Sequence, residues 1–366
     1  MNEIPQYKKW LLSFVVSQAL LFAGTCYFNY RVDSAAYFQI ENLEKAADAN
    51  VKGNIVADLE NYDERKFQEL IIQKEKTVRN VIVTGSSRSM MVRSALLKID
   101  KHQMYNHSVS GASVEDHIAI IGAYELIHKK LPQMIILGID PWIFNKNNGK
   151  IQWQEWSQYY SFLANKLELK RKVDSETRYN KAYNYLRLLG LISYDYTKAN
   201  IKYLIARQGK VKDFFRIVDN VALDTTLKDI DGSYYYPFSH RYPNENETES
   251  AALWAGSNPY SLSGFTEMDN LDIFSTFIQY LIGKNVQVVF YLPPYHPTTY
   301  KLLFNDPKFR IINDIELFLK QLAKKKGIKV LGSYNPSPYN LTNKHFFDGN
   351  HGLEYVIARV FDQEWK

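Results

Sequence analysis

Residues 80–91 have the sequence Asn80-Val81-Ile82-Val83-Thr84-Gly85-Ser86-Ser87-Arg88-Ser89-Met90-Met91. The β-branched run at its start, bounded by turn residues, is typical of a buried strand. The glycine and serines that follow predict a tight turn into a helix, which we expect over residues 89–99. This geometry presents a serine hydroxyl at the carboxyl edge of a sheet, beside a helix N-terminus that favours negative charge. A serine at that place is either a helix cap or a nucleophile.

The composition is that of a globular chain and excludes several classes of protein. Its 366 residues are enough for a large domain with an insertion. The net charge is +6, from 45 basic and 39 acidic residues, and no basic run is interleaved with stacking aromatics, so we expect no nucleic-acid partner. The single cysteine, Cys26, excludes an intrachain disulfide and a metal site built on a cysteine cluster.

An uncharged run at residues 10–28 is about as long as the hydrocarbon core of a membrane requires, roughly 17–25 residues. Aromatic side chains lie at both of its ends, and two lysines precede it, which favours a cytoplasmic N-terminus. We predict a cytoplasmic N-terminus at 1–9, a single-pass anchor in the cell membrane at 10–30, and the remaining chain outside the cytoplasm. A cleaved signal peptide and a buried core helix are the alternatives.

Four later apolar runs also predict strands, and helical patterns separate them. These runs are residues 104–109, 133–139, 286–292 and 328–331. Strands that alternate with helices of ten or more residues predict an α/β fold, with a five-stranded parallel sheet and helices on both faces. The last two helices are expected at residues 311–326 and from about residue 353 onwards.

The strand and helix pattern is interrupted, and this divides the chain. Residues 31–79 are charged and predict solvated lead-in helices or a stalk, while residues 145–265 predict a mainly helical insertion with a helical stretch at 181–207. The α/β domain is therefore expected in two halves, residues 80–144 and 266–366. The insertion forms either a substrate groove, a partner surface or a structural cap.

Polar turns follow all five predicted strands. They are Gly85-Ser86-Ser87, residues 110–113, Asp140, His296 and residues 348–351. Ligands of parallel sheets bind outside the carboxyl ends of the strands. Five separate segments therefore bring functional groups to one edge of the sheet, and His296 is a candidate for lining the site there.

The residue types at this edge suit nucleophilic catalysis. Serine is a weak nucleophile until a base removes its proton, and histidine is the usual base near neutral pH. The three-residue spacing of Asp348 and His351 can place the carboxylate behind the imidazole and Ser87 in front of it. The alternatives are that Asp348 only caps the last helix, and that Ser86 rather than Ser87 is the nucleophile.

In this order the motifs resemble those of the SGNH (GDSL-like) hydrolase superfamily, over roughly residues 80–140 and 285–365. Gly85-Ser86-Ser87 matches the block that carries the nucleophile, and Asp348-Gly349-Asn350-His351 matches the last block. Gly111 resembles the second-block glycine, whose backbone N–H joins the oxyanion hole. The resemblance implies a flavodoxin-like, three-layer α/β/α fold, with Ser87 as nucleophile, His351 as base and Asp348 as orienting acid.

The third block departs from the family pattern, which has an asparagine that donates to the oxyanion. Here Asp140 follows the third strand, and an ionised carboxylate would repel an oxyanion. Losing one such donor typically costs about 10²–10³ in rate. Asn145 or a tyrosine could supply the donor instead, or Asp140 could bind a substrate hydroxyl. Arg88 is a candidate for binding an anionic acceptor, or it has a capping or surface role.

An N-terminal anchor with these blocks looks most like the DltD-like branch of cell-envelope acylation proteins. The resemblance implies a serine acyltransferase or esterase, without cofactor or metal, that acts on acyl esters of an envelope polysaccharide or a teichoic-acid-like polymer. It also implies a membrane-bound O-acyltransferase as a partner. The alternatives are a non-catalytic accessory or binding protein of such a system, and a cytoplasmic α/β binding protein.

Overall fold

The computed structural model describes residues 6–59, 62–169, 188–206, 214–262 and 264–365, so part of the helical stretch predicted at 181–207 lies outside the described residues. The strands are β1 (Ile55–Ala57), β2 (Val81–Thr84), β3 (Met104–Asn106), β4 (Met134–Gly138), β5 (Arg216–Val218), β6 (Leu227–Lys228), β7 (Tyr234–Tyr235), β8 (Gln287–Leu292) and β9 (Lys329–Gly332). The first seven α-helices are α1 (Gln6–Val32), α2 (Ile40–Val51), α3 (Glu64–Lys74), α4 (Ser94–Leu97), α5 (Val114–His128), α6 (Ser157–Lys166) and α7 (Tyr194–Ala206). The later ones are α8 (Phe238–Arg241), α9 (Glu245–Ser257), α10 (Leu271–Gly283), α11 (Pro297–Asn305), α12 (Ile311–Lys326) and α13 (Glu354–Glu364).

Five strands form a parallel sheet in the order β3-β2-β4-β8-β9, which confirms the predicted α/β class. Strand β2 lies inside the sheet, where Val83 pairs with Asn106 of β3 and Ile136 of β4. Each strand differs from its predicted range by a few residues at most, apart from β3, which ends at Asn106 rather than Val109. Because the strands are parallel, the carboxyl ends of β2 and β9, which are far apart in the chain, lie at the same edge of the sheet.

Alternate residues of the strands enter two buried clusters. Ile82 and Ile135 pack in a cluster with residues of α5, α10 and α12, whereas Val83 and Ile136 pack in a second cluster with residues of α13. Alternation follows from the pleat, which points successive side chains to opposite faces. Both faces of these strands are therefore buried, and this explains why their sequences are apolar throughout.

The helix predicted at residues 89–99 is wrong for most of its length. A single 3-10 turn covers Ser87–Ser89, and only the four residues of α4 are α-helical. The reason is a competing hydrogen-bond partner: the buried Asn106 side-chain amide donates to three carbonyls, those of Ser89 at 2.8 Å, Met90 at 3.2 Å and Val92 at 2.9 Å. Carbonyls held by a side chain are not available to an α-helix.

The lead-in at residues 31–79 is packed rather than solvated, which corrects the expectation of a solvated stalk. Its apolar side chains lie on one face of α2 and one face of α3, and Leu43 and Phe67 are fully buried. The short strand between these helices, β1, joins β5, β6 and β7 in a second, antiparallel sheet of order β5-β1-β6-β7. The insertion therefore contributes strands as well as helices, and it is bound to the lead-in by backbone pairing.

Helix α1 is long and apolar enough to cross a membrane, and its apolar stretch is exposed. By length and composition it fits a membrane anchor or a signal sequence near the N-terminus.

A carboxyl pair lies where the lead-in meets the insertion. Burial, the charge of Asp63 and a hydrogen bond to it together raise the pKa of Glu155 to about 9, against the opposing charge of Arg65. Glu155 is therefore protonated at neutral pH in the folded chain, whereas its ordinary pKa of 4.5 leaves it ionised in the unfolded chain.

Glu155→Gln is expected to raise the free energy of unfolding above that of the wild type at pH 8, with little difference at pH 4.5. Between pH 4.5 and about 9 the folded wild-type chain holds a proton that the unfolded chain releases, so its stability falls as pH rises, and the glutamine removes that loss. Urea unfolding across this range measures the difference. The control Glu267→Gln changes an exposed carboxylate whose pKa is lowered by Lys146, and should leave the slope unchanged.

Candidate active site

The turn after β2 points two neighbouring serines in different directions. Ser86 is buried, its hydroxyl accepts a hydrogen bond from the Arg88 N–H at 3.2 Å, and it also bonds to the side chain of Asp140. Ser86 therefore caps the short turn that follows, whereas Ser87 is partly exposed. Of the two candidate nucleophiles in the sequence, Ser87 is the one whose hydroxyl faces the end of the sheet.

Ser87, His351 and Asp348 form one hydrogen-bonded series. The distance from Ser87 Oγ to His351 Nε2 is 2.8 Å, and His351 Nδ1 lies 2.8 Å from Asp348 Oδ2 and 3.0 Å from Oδ1. A carboxylate only accepts hydrogen bonds, so the imidazole donates its Nδ1–H to Asp348. The Nε2 lone pair is then directed at the serine hydroxyl, which is the arrangement that a general base requires.

Asp348 is held in its ionised form. Burial alone would raise its pKa, but the His351 charge, the His351 ring hydrogen bond and the backbone N–H groups of Asn350 and His351 lower it to about 2. Both N–H groups donate to Oδ1 at 2.7 Å. The carboxylate therefore remains negative at every pH at which a histidine acts as a base. The side chain of Asp348 also closes the loop from Asp348 to His351.

Two glycines let the serine turn lie close to the sheet. Gly85 follows β2 and Gly138 ends β4, and the side chain of Ser89 fills the space beside both. A Cβ on Gly85 would lie 2.6 Å from Ser89 Oγ, and a Cβ on Gly138 would collide with the same atom. The position of Ser87 thus depends on the glycines at the ends of these two strands, where no side chain holds the turn away from the sheet.

Arg88 and Asp140 face each other rather than a ligand. Both side chains are buried, and Arg88 Nη1 donates to Asp140 Oδ1 at 2.7 Å. The other guanidinium nitrogens donate to the carbonyls of Pro293 at 2.6 Å and Asn350 at 2.9 Å, and the guanidinium carbon lies 4.0 Å from the centre of the Tyr295 ring. Burial raises the pKa of Asp140, and the charge of Arg88 opposes that rise.

This contact differs from both expectations for these residues. Neither the binding of an anionic acceptor by Arg88 nor the binding of a substrate hydroxyl by Asp140 fits side chains that are buried and bonded to each other. Instead, one guanidinium connects the serine turn, the end of β4, the exit of β8 and the histidine loop. The charge of Asp140 is offset, so it no longer faces an oxyanion uncompensated.

The backbone donors expected for an oxyanion remain available. Among the described residues, no hydrogen-bond acceptor is found for the backbone N–H of Ser87 or of Gly111. Gly111 has a φ of 60°, which favours glycine, and a Cβ there would lie 2.8 Å from the Tyr260 hydroxyl. The alternative donor Asn145 is bound elsewhere, since its amide donates to the Ser261 carbonyl at 2.9 Å.

His296 lies behind the histidine loop and does not line the site. Its Nδ1 accepts from the Thr298 N–H at 3.1 Å, its Nε2 lies 2.8 Å from Asn343 Oδ1, and its backbone N–H donates to the Gly349 carbonyl at 3.3 Å. Burial lowers the pKa of His296, against the Asn343 hydrogen bond and the charges of Glu249 and Asp348. The ring is therefore a neutral cap of α11 that supports the loop.

An aromatic neighbour of His351 was not predicted from the sequence. The ring of Phe347 is stacked on that of His351, with centroids 5.2 Å apart and an interplanar angle of 5°. Tyr236 and His240 of the insertion contact the same phenylalanine, with centroid distances of 5.0 and 5.1 Å. The only sign of this contact in the sequence is an aromatic residue directly before Asp348. The partners of that aromatic residue come from a distant part of the chain.

Gly349→Ala is expected to displace the histidine loop, with a loss of about 1–3 kcal/mol of stability from overpacking. A Cβ at Gly349 would lie 2.5 Å from Ala255 Cβ, 2.7 Å from Thr299 Oγ1 and 2.9 Å from Ala252 Cα. Urea unfolding measures the loss. The control Gly283→Ala has no atom within 4 Å of the new Cβ and should lose no stability. Equal stability of the two variants would contradict the tight packing of this loop.

No protein-family model matches the chain, and no curated protein matches it either. Within the described residues, no group of three or more His, Cys, Asp or Glu side chains is placed to hold a metal ion. The site is therefore defined by its own geometry: a serine, histidine and aspartate series at the carboxyl edge of a parallel sheet.

Proposed function

We propose that the protein is a serine acyltransferase or esterase in which Ser87 is the nucleophile, His351 the base and Asp348 the orienting acid. The observation that carries the proposal is the series of contacts of 2.8 Å from Ser87 Oγ to His351 and from His351 to Asp348. The same residues carry the resemblance to the SGNH hydrolases, whose three-layer arrangement we propose for this sheet and its helices.

The proposed reaction has two steps. Ser87 Oγ attacks the carbonyl carbon of an acyl ester while His351 Nε2 takes its proton, and the imidazolium is stabilised by Asp348. The proton then passes to the leaving alcohol, which departs and leaves an acyl group on Ser87. A sugar hydroxyl or a water gives its proton to His351 as it attacks this acyl-enzyme, and His351 returns that proton to Ser87 Oγ as the serine leaves.

The negative oxygen formed in both steps needs donors. We propose the backbone N–H groups of Ser87 and Gly111, neither of which has a partner among the described residues. The Tyr260 hydroxyl is a candidate for the third donor, because it lies beside Gly111 and itself accepts a hydrogen bond from the ammonium of Lys150. Asp140 takes no part as a donor, since it is bound to Arg88.

The substrate that we propose is an acyl ester of an envelope polysaccharide or a teichoic-acid-like polymer. This part of the proposal rests on the resemblance to the DltD-like branch and on α1, which fits an anchor that would hold the domain at the outer face of the membrane. Two lysines before the apolar run favour a cytoplasmic N-terminus. A membrane-bound O-acyltransferase is the partner that the same resemblance implies.

The test is labelling of the full-length protein by a fluorophosphonate, a reagent that reacts with activated serines. We expect labelling of the wild type and none of Ser87→Ala. The matched control is Ser239→Ala, because Ser239 is also an exposed serine beside a histidine, with Oγ 3.1 Å from His240 Nδ1. Labelling that persists in Ser87→Ala, or a wild type that does not react, would remove the proposal.

A non-catalytic accessory protein is the second candidate. The observation in its favour is Asp140, which occupies the place of an oxyanion donor and is used in a buried ion pair. Under this alternative, Ser87→Ala leaves the polymer as fully acylated as the wild type does. Under the first proposal, the same variant loses acylation or de-esterification.

A further inference from the structure

The insertion is fastened to the end of α1 by buried polar contacts. Asn29 Nδ2 donates to the Leu191 carbonyl and to Thr197 Oγ1, both at 2.8 Å. Asn200 Nδ2 donates to Asn29 Oδ1 at 2.9 Å, and Asn200 Oδ1 accepts from the Ser34 N–H at 3.0 Å. Both asparagines are fully buried. Helix α7 is therefore fixed beside the last turns of α1 rather than loosely attached.

An apolar groove runs between these two helices. Its lining residues on α1 are Ser17, Leu20, Leu21, Gly24, Thr25 and Phe28, and those on α7 are Thr197 and Ile201. Ile205 follows Ile201 by four residues and so lies on the same stripe of α7. Ile201 is 46% exposed and Ile205 is 72% exposed, although both are large aliphatic side chains. The exposed apolar surface of α1 thus continues onto α7.

The neighbouring stripe of α7 carries an aspartate in the first turn, Asp195, followed by two lysines. Lys198 and Lys202 are exposed and each follows a residue of the groove stripe by one position. A lysine beside an apolar face can lay its aliphatic stem along that face and extend its ammonium to a phosphate. An aliphatic stripe flanked by lysines is the pattern of a helix that lies in a membrane interface with anionic lipids.

We infer that α7 is a second membrane-contacting element, which lies in the interface of an anionic phospholipid bilayer beside the point where α1 leaves it. The bilayer is the occupant that fits, because α1 has the length and composition to cross a membrane, residues of α1 and α7 line the same groove, and Ile201 and Ile205 of α7 are exposed. The domain is then held by two elements, which fixes its tilt on the membrane. This inference does not depend on the proposed acyl transfer.

The test places a fluorophore on single cysteines of the full-length protein, after Cys26→Ser removes the native thiol. Ile205→Cys and Ile201→Cys report on α7, Phe22→Cys is the reference within α1, and Leu253→Cys is the matched control. Leu253 is also an exposed aliphatic residue of a helix, at 49%, but it lies on α9. The protein is reconstituted in phosphatidylcholine and phosphatidylglycerol vesicles that contain either a headgroup spin-labelled lipid or an acyl-chain spin-labelled lipid.

The expected result is loss of emission by the acyl-chain label at position 22 and by the headgroup label at positions 201 and 205, and quenching at 253 only by iodide in the water. Positions 201 and 205 that respond to iodide but not to the lipid would overturn the inference. Positions protected from both quenchers would also overturn it, because a protein partner would then cover α7. Absence of lipid quenching at position 22 would remove the membrane-spanning role of α1 on which the inference depends.

Discussion

Ser87→Ala and His351→Ala are each expected to lower kcat/KM for p-nitrophenyl acetate by as much as about 10⁶-fold, and the double variant no further. Under the proposed function the two residues act as one unit: the hydroxyl is reactive only while the imidazole, 2.8 Å away, takes its proton. Asp348→Asn should cost less, about 10⁴-fold, because the base is retained while its orientation and tautomer are disturbed.

The measurement is ester hydrolysis by the full-length protein in detergent micelles, with all four variants at equal concentration. The remaining activity reflects binding and the backbone donors at Ser87 and Gly111, which these substitutions leave in place. Losses that multiply in the double variant would show that the two side chains act independently. An effect of Ser87→Ala smaller than tenfold would exclude Ser87 as the nucleophile.

Arg88→Met is expected to cost about 3–5 kcal/mol of folding stability, because it leaves the Asp140 carboxylate buried without its partner. It also removes the hydrogen bonds to the carbonyls of Pro293 and Asn350. The double variant Arg88→Met/Asp140→Asn should recover part of this loss, since a neutral amide is less costly to bury than an unpaired carboxylate.

Urea unfolding of the single and double variants measures the coupling between the two residues. The matched control is Arg216→Met, which breaks a more exposed arginine–aspartate pair with Asp58 and should cost only about 0–1 kcal/mol. Additive losses from Arg88→Met and Asp140→Asn would contradict a direct ion pair. A loss for Arg88→Met as small as that of the control would show that the guanidinium is not needed to join the four segments.

The parallel sheet was predictable because its strands are buried on both faces. Runs such as Val81–Thr84 are apolar and β-branched throughout, and this signal does not depend on distant residues. Helix α12 has its predicted bounds, because three lysines precede Gly327, which ends the helix with a φ of 68°. In both cases the determining residues are neighbours in the sequence.

The errors arise where distant residues decide the local structure. Asn106 binds the carbonyls of residues 89, 90 and 92, and it prevents a helix that the local pattern favours. Strand β1 has only three residues, and it pairs with β5, which lies more than 150 residues later. A short strand of this kind has too little sequence for its periodicity to be recognised.

The same distinction applies to the site. The shared edge of the parallel strands predicted that Ser87, Asp348 and His351 would lie together, and the structure brings their side chains into contact. The pairing of Arg88 with Asp140 was not predictable, because it depends on how closely two loops approach over Gly85 and Gly138. The stacking of Phe347 on His351 was likewise not predictable, because Phe347 also packs against an aromatic residue of the insertion.

The sequence separation of 264 between Ser87 and His351 has a consequence for the chain while it is being synthesised. When the ribosome has synthesised the first half of the sheet, the chain contains the Ser87 hydroxyl but not yet the His351 imidazole that would activate it. Chemistry at Ser87 therefore starts only when β9 and the loop that follows it have joined the sheet. Under the proposed function, newly made protein is harmless to cellular esters until residues 348–351 are in place, without any inhibitor or propeptide.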